Sequence, residues 1–116
     1  MEGNFINENV VLTRAEMDRI LRSYRRLNEA LRSSGTFLRA ENIDMDESAI
    51  QAEMYSLRTI VLSISDPSER MILYHYYIKG HSLKTCGKIL GISDRSVCRL
   101  KSRALENLIL KTNNKN

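Results

Sequence analysis

Apolar residues recur every three or four positions along much of the chain, and the first such stretch begins after residue 13. Thr13 is followed three residues later by Glu16, which is the sequence signature of a capping box. The apolar positions that follow predict a helix with one buried face. We expect it to end near Ser33 and Ser34, with Gly35 as the terminating residue. The predicted buried face consists of Met17, Ile20, Tyr24, Leu27 and Leu31.

This apolar face is close to a heptad repeat in its first turns. It therefore predicts either packing inside the molecule, which we favour, or the seam of a dimer. The next stretch, 36–47, contains four acidic residues and is predicted to be a linker. Residues 1–47 are accordingly interpreted as an N-terminal helix and acidic linker that could serve in oligomerisation. Residues 48–116 are interpreted as a second, helical domain.

The helical period resumes at Ser48. Its second half, TIVLSI, is rich in β-branched residues and by itself could form a strand. We predict a helix because the pattern extends over about sixteen residues, more than a usual strand. The predicted buried face consists of Ile50, Met54, Leu57, Val61 and Ile64.

A helix boundary is clearest at Asp66, which precedes Pro67 at the first helical position. Glu69 lies three residues after Asp66 and predicts a second capping box. The helix should run to Gly80. It carries Tyr74, Tyr76 and Tyr77, which at this spacing are more typical of a core than of a surface that stacks on bases.

The segment 82–108 predicts two helices joined by a tight turn. Ser82 and Ser93 can each cap a helix start, and Gly91 interrupts the apolar pattern between them. Gly87 provides the small residue that a close helix crossing requires, and Val97 is placed to fill the angle between the helices. The second helix should bury Val97, Leu100, Ala104 and Leu108. This is the pattern of a helix-turn-helix whose second helix enters the major groove of DNA.

Charge favours the same interpretation. The net charge is +4, but residues 79–116 carry nine Lys or Arg against two acids, whereas residues 1–78 carry a net charge of −3. A basic segment of this kind is typical of a protein that meets a phosphate backbone.

The side chains predicted to contact DNA follow from projecting the second helix at 100° per residue. Its outward face should read bases through Arg95, Arg99, Ser96 and Ser102, with the two arginines pairing with guanine acceptors. Phosphate contacts, which set register, are predicted for Lys84, Thr85, Lys88, Ser93, Lys101 and Arg103.

Other chemistry has little support in the sequence. Cys86 and Cys98 lie twelve residues apart with only His75 and His81 nearby, so neither the number nor the spacing of ligands suits zinc. We expect no metal, no cofactor and no enzymatic activity, because phosphate-binding loops and nucleophile motifs are absent. Without a signal peptide or an apolar run of about 20 residues, the protein is expected in the cytoplasm and away from membranes.

The stretch DPSERMILYHYYIKGHSLKTCGKILGISDRSVCRLKSRALENL resembles region four of bacterial sigma factors, the part that reads a promoter element. The layout, an N-terminal helical segment before this domain, is similar to phage and prophage regulators of the ArpU and RinA type. The resemblance implies control of phage or mobile-element genes. Two departures affect the reading helix: Asp94-Arg95 reverses the usual basic-acidic order, and Cys98 stands where arginine is common. The promoter specificity of sigma factors is therefore not carried over.

The sequence thus predicts an all-α protein with a C-terminal sigma region four-like helix-turn-helix. Its predicted function is sequence-specific binding of duplex DNA to regulate transcription, acting as a homodimer. One alternative is a module that contacts RNA polymerase or a sigma factor without its own DNA specificity. Another is a DNA-binding subunit similar to small terminases, which pair a helix-turn-helix with oligomerising helices.

Overall fold

The computed structural model describes residues 12–32 and 47–113, and within these two ranges every regular element is helical. The predicted all-α class is therefore confirmed. The elements are α1 (Arg14–Arg32), α2 (Glu47–Leu62), α3 (Pro67–Leu73), a π-helical turn (Tyr74–Ile78), α4 (Leu83–Leu90) and α5 (Asp94–Asn113).

α1 begins at the predicted capping box. The amide of Glu16 donates to Thr13 Oγ1 at 3.1 Å, and the amide of Thr13 donates to Glu16 Oε1 at 2.8 Å. The predicted end at Gly35 and most of the predicted acidic linker lie outside the described residues. Glu47, assigned to that linker, is instead the first residue of α2.

The buried face of α1 differs from the predicted one. Ile20 is 38% exposed, whereas Leu21 is fully buried, and Leu31 is only half-buried. The helix packs against three neighbours, namely α2, the π-helical turn and α5, so its core face is wider than a single stripe and is rotated past Ile20. The residues that it buries are Met17, Leu21, Tyr24, Leu27 and Ala30. In this chain the apolar face of α1 therefore packs inside the molecule.

α2 is a helix, and the predicted face is correct throughout. Ile50, Met54, Leu57 and Val61 are buried in α2, and Ile64 is buried just beyond its end. The β-branched second half does not form a strand, because its apolar residues keep the helical spacing that packing against α1 requires.

The helix predicted from Pro67 to Gly80 is not uniform. It begins as α3 and widens into the π-helical turn, where the amide of Lys79 donates to the carbonyl of Tyr74 at 3.0 Å. Gly80 ends it with φ of 79°, as predicted for a terminating glycine. Tyr77 is buried, and Tyr74 and Tyr76 pack against the core, so the tyrosine cluster is part of the core.

The last helix, α5, packs on three of the helices before it. α5 contacts α1, α3 and α4, and it buries the four predicted residues together with Leu105 and Ile109. Its central position allows one apolar core to serve both the helix-turn-helix and the N-terminal helix. The surface predicted to contact DNA is therefore the outer side of a helix whose inner side packs against α1, α3 and α4.

Candidate nucleic-acid interface

The turn between α4 and α5 has the geometry that a helix-turn-helix requires. Gly91 adopts the left-handed conformation with φ of 71° and ψ of 34°. The amide of Ile92 donates to the carbonyl of Gly87 at 2.9 Å, and the amide of Gly91 donates to the carbonyl of Lys88 at 3.3 Å. These two bonds form a Schellman motif, which satisfies carbonyls at the helix end.

Gly87 permits the close approach of the two helices. A Cβ atom on Gly87 would lie 3.1 Å from the carbonyl oxygen of Ile92 and 3.9 Å from Cβ of Val97. Val97 itself is 1% exposed and fills the angle between α4 and α5. The roles predicted for Gly87, Gly91 and Val97 are thus confirmed.

Both helices of the motif start with a serine cap. The amide of Thr85 donates to Ser82 Oγ, and the amide of Ser96 donates to Ser93 Oγ, each at 3.1 Å. Each serine hydroxyl also donates, to Thr85 Oγ1 and to Ser96 Oγ respectively, at 3.0 Å. The hydroxyl of Ser93, which was predicted to contact phosphate, therefore caps the start of α5. Thr85 and Ser96 each retain a hydroxyl proton that can be donated to another group.

The outward face of α5 presents the two predicted reading residues. Arg95 and Arg99 are exposed and lie one turn apart, with exposed Cys98 between them and half-buried Ser102 one turn further on. Buried Cys86, by contrast, packs in the core, and burial raises the pKa of its thiol. The arginines stand near the start of the helix, where a reading helix approaches base edges.

Lys84 and Lys88 lie one turn apart on the exposed surface of α4. Among the described residues, neither they nor Arg95 and Arg99 form an ion pair, so their charges face solvent uncompensated. This set is the cationic surface that the helix-turn-helix presents.

Lys101 does not fit the phosphate-contacting role predicted for it. Its side chain is only 18% exposed, and its Nζ lies 3.8 Å from Oδ1 of Asp18 on α1. The ammonium also stands 5.1 Å and 5.7 Å from the ring centroids of Tyr76 and Tyr77. Because α1 covers this side of α5, Lys101 ties the two helices together instead of facing a ligand.

Asp18 is the centre of that contact. Its carboxylate accepts from the hydroxyl of Tyr77 and, at 2.7 Å, from Nε of Arg22. Burial alone would raise the pKa of Asp18, but these two hydrogen bonds and the charges of Arg22 and Lys101 outweigh it and lower the pKa. Burial and the bond to Asp18 raise the pKa of Tyr77, which keeps its hydroxyl protonated as a donor.

Arg103 remains exposed, but it too has a partner. Its Nε donates to Oε2 of Glu69 at 3.2 Å, and Nδ2 of Asn107 donates to the same oxygen at 2.9 Å. The predicted capping box at Asp66 is therefore only half present. The amide of Glu69 donates to Asp66 Oδ1, as in a box, while the carboxylate of Glu69 turns to α5.

Sequence reasoning missed Asp18 and Glu69 as partners of the basic helix. Asp18 occupies an ordinary helix position, Glu69 was assigned to the capping box, and their partners on α5 lie far along the chain. Spacing along one helix gives no signal of such pairs.

The segment with this geometry also matches a known family. Residues 66–108 match the family described as Sigma-70, region 4, a DNA-binding helix-turn-helix domain. The match runs from the cap of α3 to Leu108, so it contains α4, the turn and all but the last five residues of α5. Neither the curated proteins nor the solved structures contain a significant match to the chain.

Within residues 12–32 and 47–113, no cluster of three or more His, Cys, Asp or Glu is arranged to hold a metal ion. In the same part of the chain, no helix combines the length and apolar character needed to cross a bilayer.

Proposed function

We propose that the protein is a sequence-specific duplex-DNA-binding regulator of transcription, with α5 as the reading helix. The observation that carries this proposal is the pair Arg95 and Arg99, exposed one turn apart near the capped start of a helix whose opposite face is buried. An arginine can donate two hydrogen bonds to guanine in the major groove. Ser96 and Ser102 lie on the same helix and complete the proposed base-contacting set.

Phosphate contacts are proposed for Lys84, Lys88 and Arg103, with Thr85 as a hydroxyl donor. The lysines are exposed on α4, which in a helix-turn-helix crosses the DNA backbone. The net charge of +7 over residues 79–116 supports an electrostatic contribution of this kind.

The biological setting is proposed from the sequence resemblance. A short chain that joins an N-terminal helical segment to a region four-like domain is similar to phage and prophage regulators of the ArpU and RinA type. We therefore propose a cytoplasmic, non-catalytic regulator of phage or mobile-element genes. Binding as a homodimer is part of the proposal, and it requires a surface other than the buried face of α1.

Base reading is tested by selecting bound duplexes from a random library and comparing wild type with Arg99→Ala. Loss of a bidentate contact should cost about 1–3 kcal/mol at one base position and relax the preference there. Two half-sites about one helical turn apart would establish a dimer. An unchanged preference in Arg99→Ala would contradict base reading by this side chain.

Phosphate contact is tested by measuring affinity against salt concentration. Lys88→Ala should weaken binding to all duplexes alike and should reduce the slope of log K against log salt by about 0.9. Arg26→Ala removes an exposed charge from α1 and serves as the matched control, with a slope equal to that of wild type. Absent or salt-insensitive binding of the wild type to every duplex would overturn the proposed function.

A second candidate function follows from the family, because sigma region 4 domains bind RNA polymerase as well as DNA. In this case the chain would contact polymerase or a sigma factor without its own DNA specificity. Co-purification with polymerase and no shift of any duplex would favour it. Ring-shaped oligomers in solution would instead favour a packaging subunit similar to small terminases.

A further inference from the structure

Glu69 is the one charged residue in the described part of the chain that is buried, with 5% of its surface exposed. A buried carboxylate is costly unless it is paired and hydrogen-bonded. Here one oxygen, Oε2, accepts from both Arg103 and Asn107 of α5. The side chain is thus held in one orientation, with its charge directed at Arg103 and Asn107 of α5.

Arg103 contacts Glu69 through only one nitrogen of its guanidinium. Its Nε donates to Glu69, while 61% of the side chain is exposed. A guanidinium carries five N–H bonds in a fixed plane, so the four on Nη1 and Nη2 remain for an outside acceptor. The edge formed by Nη1 and Nη2 can bind phosphate in a bidentate manner.

Arg103 also lines a shallow surface groove of about 340 Å³ between the start of α3 and the first half of α5. Polar residues from both helices line it, including Arg99. The lining residues are Ser68, Ile92, Ser96, Arg99, Leu100 and Arg103. The groove borders the reading face, where the backbone of a bound duplex would pass.

We propose that Glu69 is a positioning residue for DNA binding, which orients Arg103 so that its Nη edge meets a backbone phosphate in this groove. The inference rests on the proposed function, and it adds to the interface a carboxylate that does not touch the DNA. Glu69 restricts the rotation of the long Arg103 side chain before binding, so less conformational entropy is lost when the phosphate is bound.

The direction in which Glu69→Gln changes DNA affinity distinguishes positioning of Arg103 from simple electrostatic repulsion. A carboxylate near DNA repels phosphate, so its removal should by itself strengthen binding. If Glu69 positions Arg103, however, Glu69→Gln should weaken binding, because the neutral amide holds the guanidinium less firmly. We expect a loss of about three- to tenfold, the range that corresponds to ordering one long side chain.

The test is a double-mutant cycle in DNA affinity at fixed salt, with wild type, Glu69→Gln, Arg103→Ala and the double variant. Glu69→Gln should weaken binding only while Arg103 is present, and in the Arg103→Ala background it should leave affinity equal or improved. If the single variant Glu69→Gln, which retains Arg103, binds DNA as well as or better than wild type, the proposal is overturned. Failure of wild type to bind any duplex would instead overturn the proposed function.

A second measurement does not depend on the folding of a buried-site variant. In nitrogen-15 NMR spectra of the wild type without DNA, the Arg103 Nε–H signal should be protected from solvent exchange, unlike that of Arg95. Addition of a duplex should then shift the Arg103 signal and slow rotation of its Nη groups. An Arg103 signal that exchanges as fast as that of Arg95, or that stays unchanged with DNA, would contradict positioning.

Discussion

At the scale of single residues, Gly87 provides a sensitive test of the helix-turn-helix. Alanine in place of a helical glycine normally stabilises a helix by about 1 kcal/mol. At Gly87, however, the new Cβ would meet the backbone oxygen of Ile92 at 3.1 Å, and that turn is fixed by its own bond to Gly87. Overpacking of this kind costs about 1–3 kcal/mol. We expect Gly87→Ala to lower the free energy of unfolding by about 1 kcal/mol in urea denaturation.

Gly91 is the matched control for this substitution, because a Cβ atom there would have no neighbour within 4 Å. Any loss of stability in Gly91→Ala therefore comes only from the left-handed conformation of the backbone at this position. Gly91→Ala should therefore destabilise, while Gly91→Asn, which tolerates this conformation, should largely restore stability. A Gly87→Ala variant more stable than wild type would contradict the close crossing of α4 and α5.

Asp18 predicts a pH dependence of stability. Its pKa is lowered in the folded state, so its contribution is present above the ordinary value of 3.8 and is lost as pH falls through the folded value. Near neutral pH, Asp18→Asn should cost about 1–2 kcal/mol, because it weakens charge-assisted bonds to Tyr77 and Arg22. The difference between wild type and Asp18→Asn should shrink between about pH 5 and pH 2.

Chemical denaturation at a series of pH values would measure this difference. Glu106→Gln is the control, because its partner Arg14 and its own side chain are both largely exposed, and it should have little effect on stability. A difference between wild type and Asp18→Asn that stays constant down to pH 2 would show that the Asp18 charge does not stabilise the fold.

At the scale of elements, the sequence predicted the local features and missed the long-range ones. Capping and the Schellman turn depend on residues within about six positions of each other, so Thr13, Ser82, Ser93 and Gly91 could be identified from spacing alone. The hydroxyl of Tyr77 reaches a carboxylate 59 positions away, and Arg103 reaches one 34 positions away. Such pairs depend on how helices pack, which helical periodicity does not specify.

The sequence pattern and the structure assign different residues to the buried face of α1. The sequence pattern assigned Ile20 to the core and left out Leu21, whereas the structure buries Leu21 completely. Leu21→Ala should therefore lower the free energy of unfolding by about 2–5 kcal/mol. Ile20→Ala, its neighbour in the chain, should cost less than about 1 kcal/mol, since it is partly exposed. Equal losses in thermal or urea unfolding would contradict this orientation of α1.

At the scale of the whole molecule, the family match and the folding unit have different extents. The match covers residues 66–108, yet the core that supports α5 also includes side chains of α1 and α2. α1 is joined to α5 by apolar packing, by Lys101 and by the bond from Arg14 to Glu106 at 3.1 Å. The N-terminal helix α1 therefore shares one apolar core with the helix-turn-helix.

This arrangement predicts that residues 47–116 do not fold alone, although they contain the entire family match. α1 supplies five of the buried hydrophobic residues in the described core, of which Met17, Leu21, Tyr24 and Leu27 are large. Without α1, the apolar side chains of α2, the π-helical turn and α5 that pack against these residues would face water, at a cost of about 25 cal/mol for each Å² exposed. A domain of this size has only about 5–15 kcal/mol of net stability to lose. The fragment 47–116 should therefore show no cooperative thermal transition by circular dichroism and should bind DNA without sequence preference. A fragment that melts cooperatively near the temperature of the full chain would show instead that α1 is an appendage and that the helix-turn-helix is supported by α2–α5 alone.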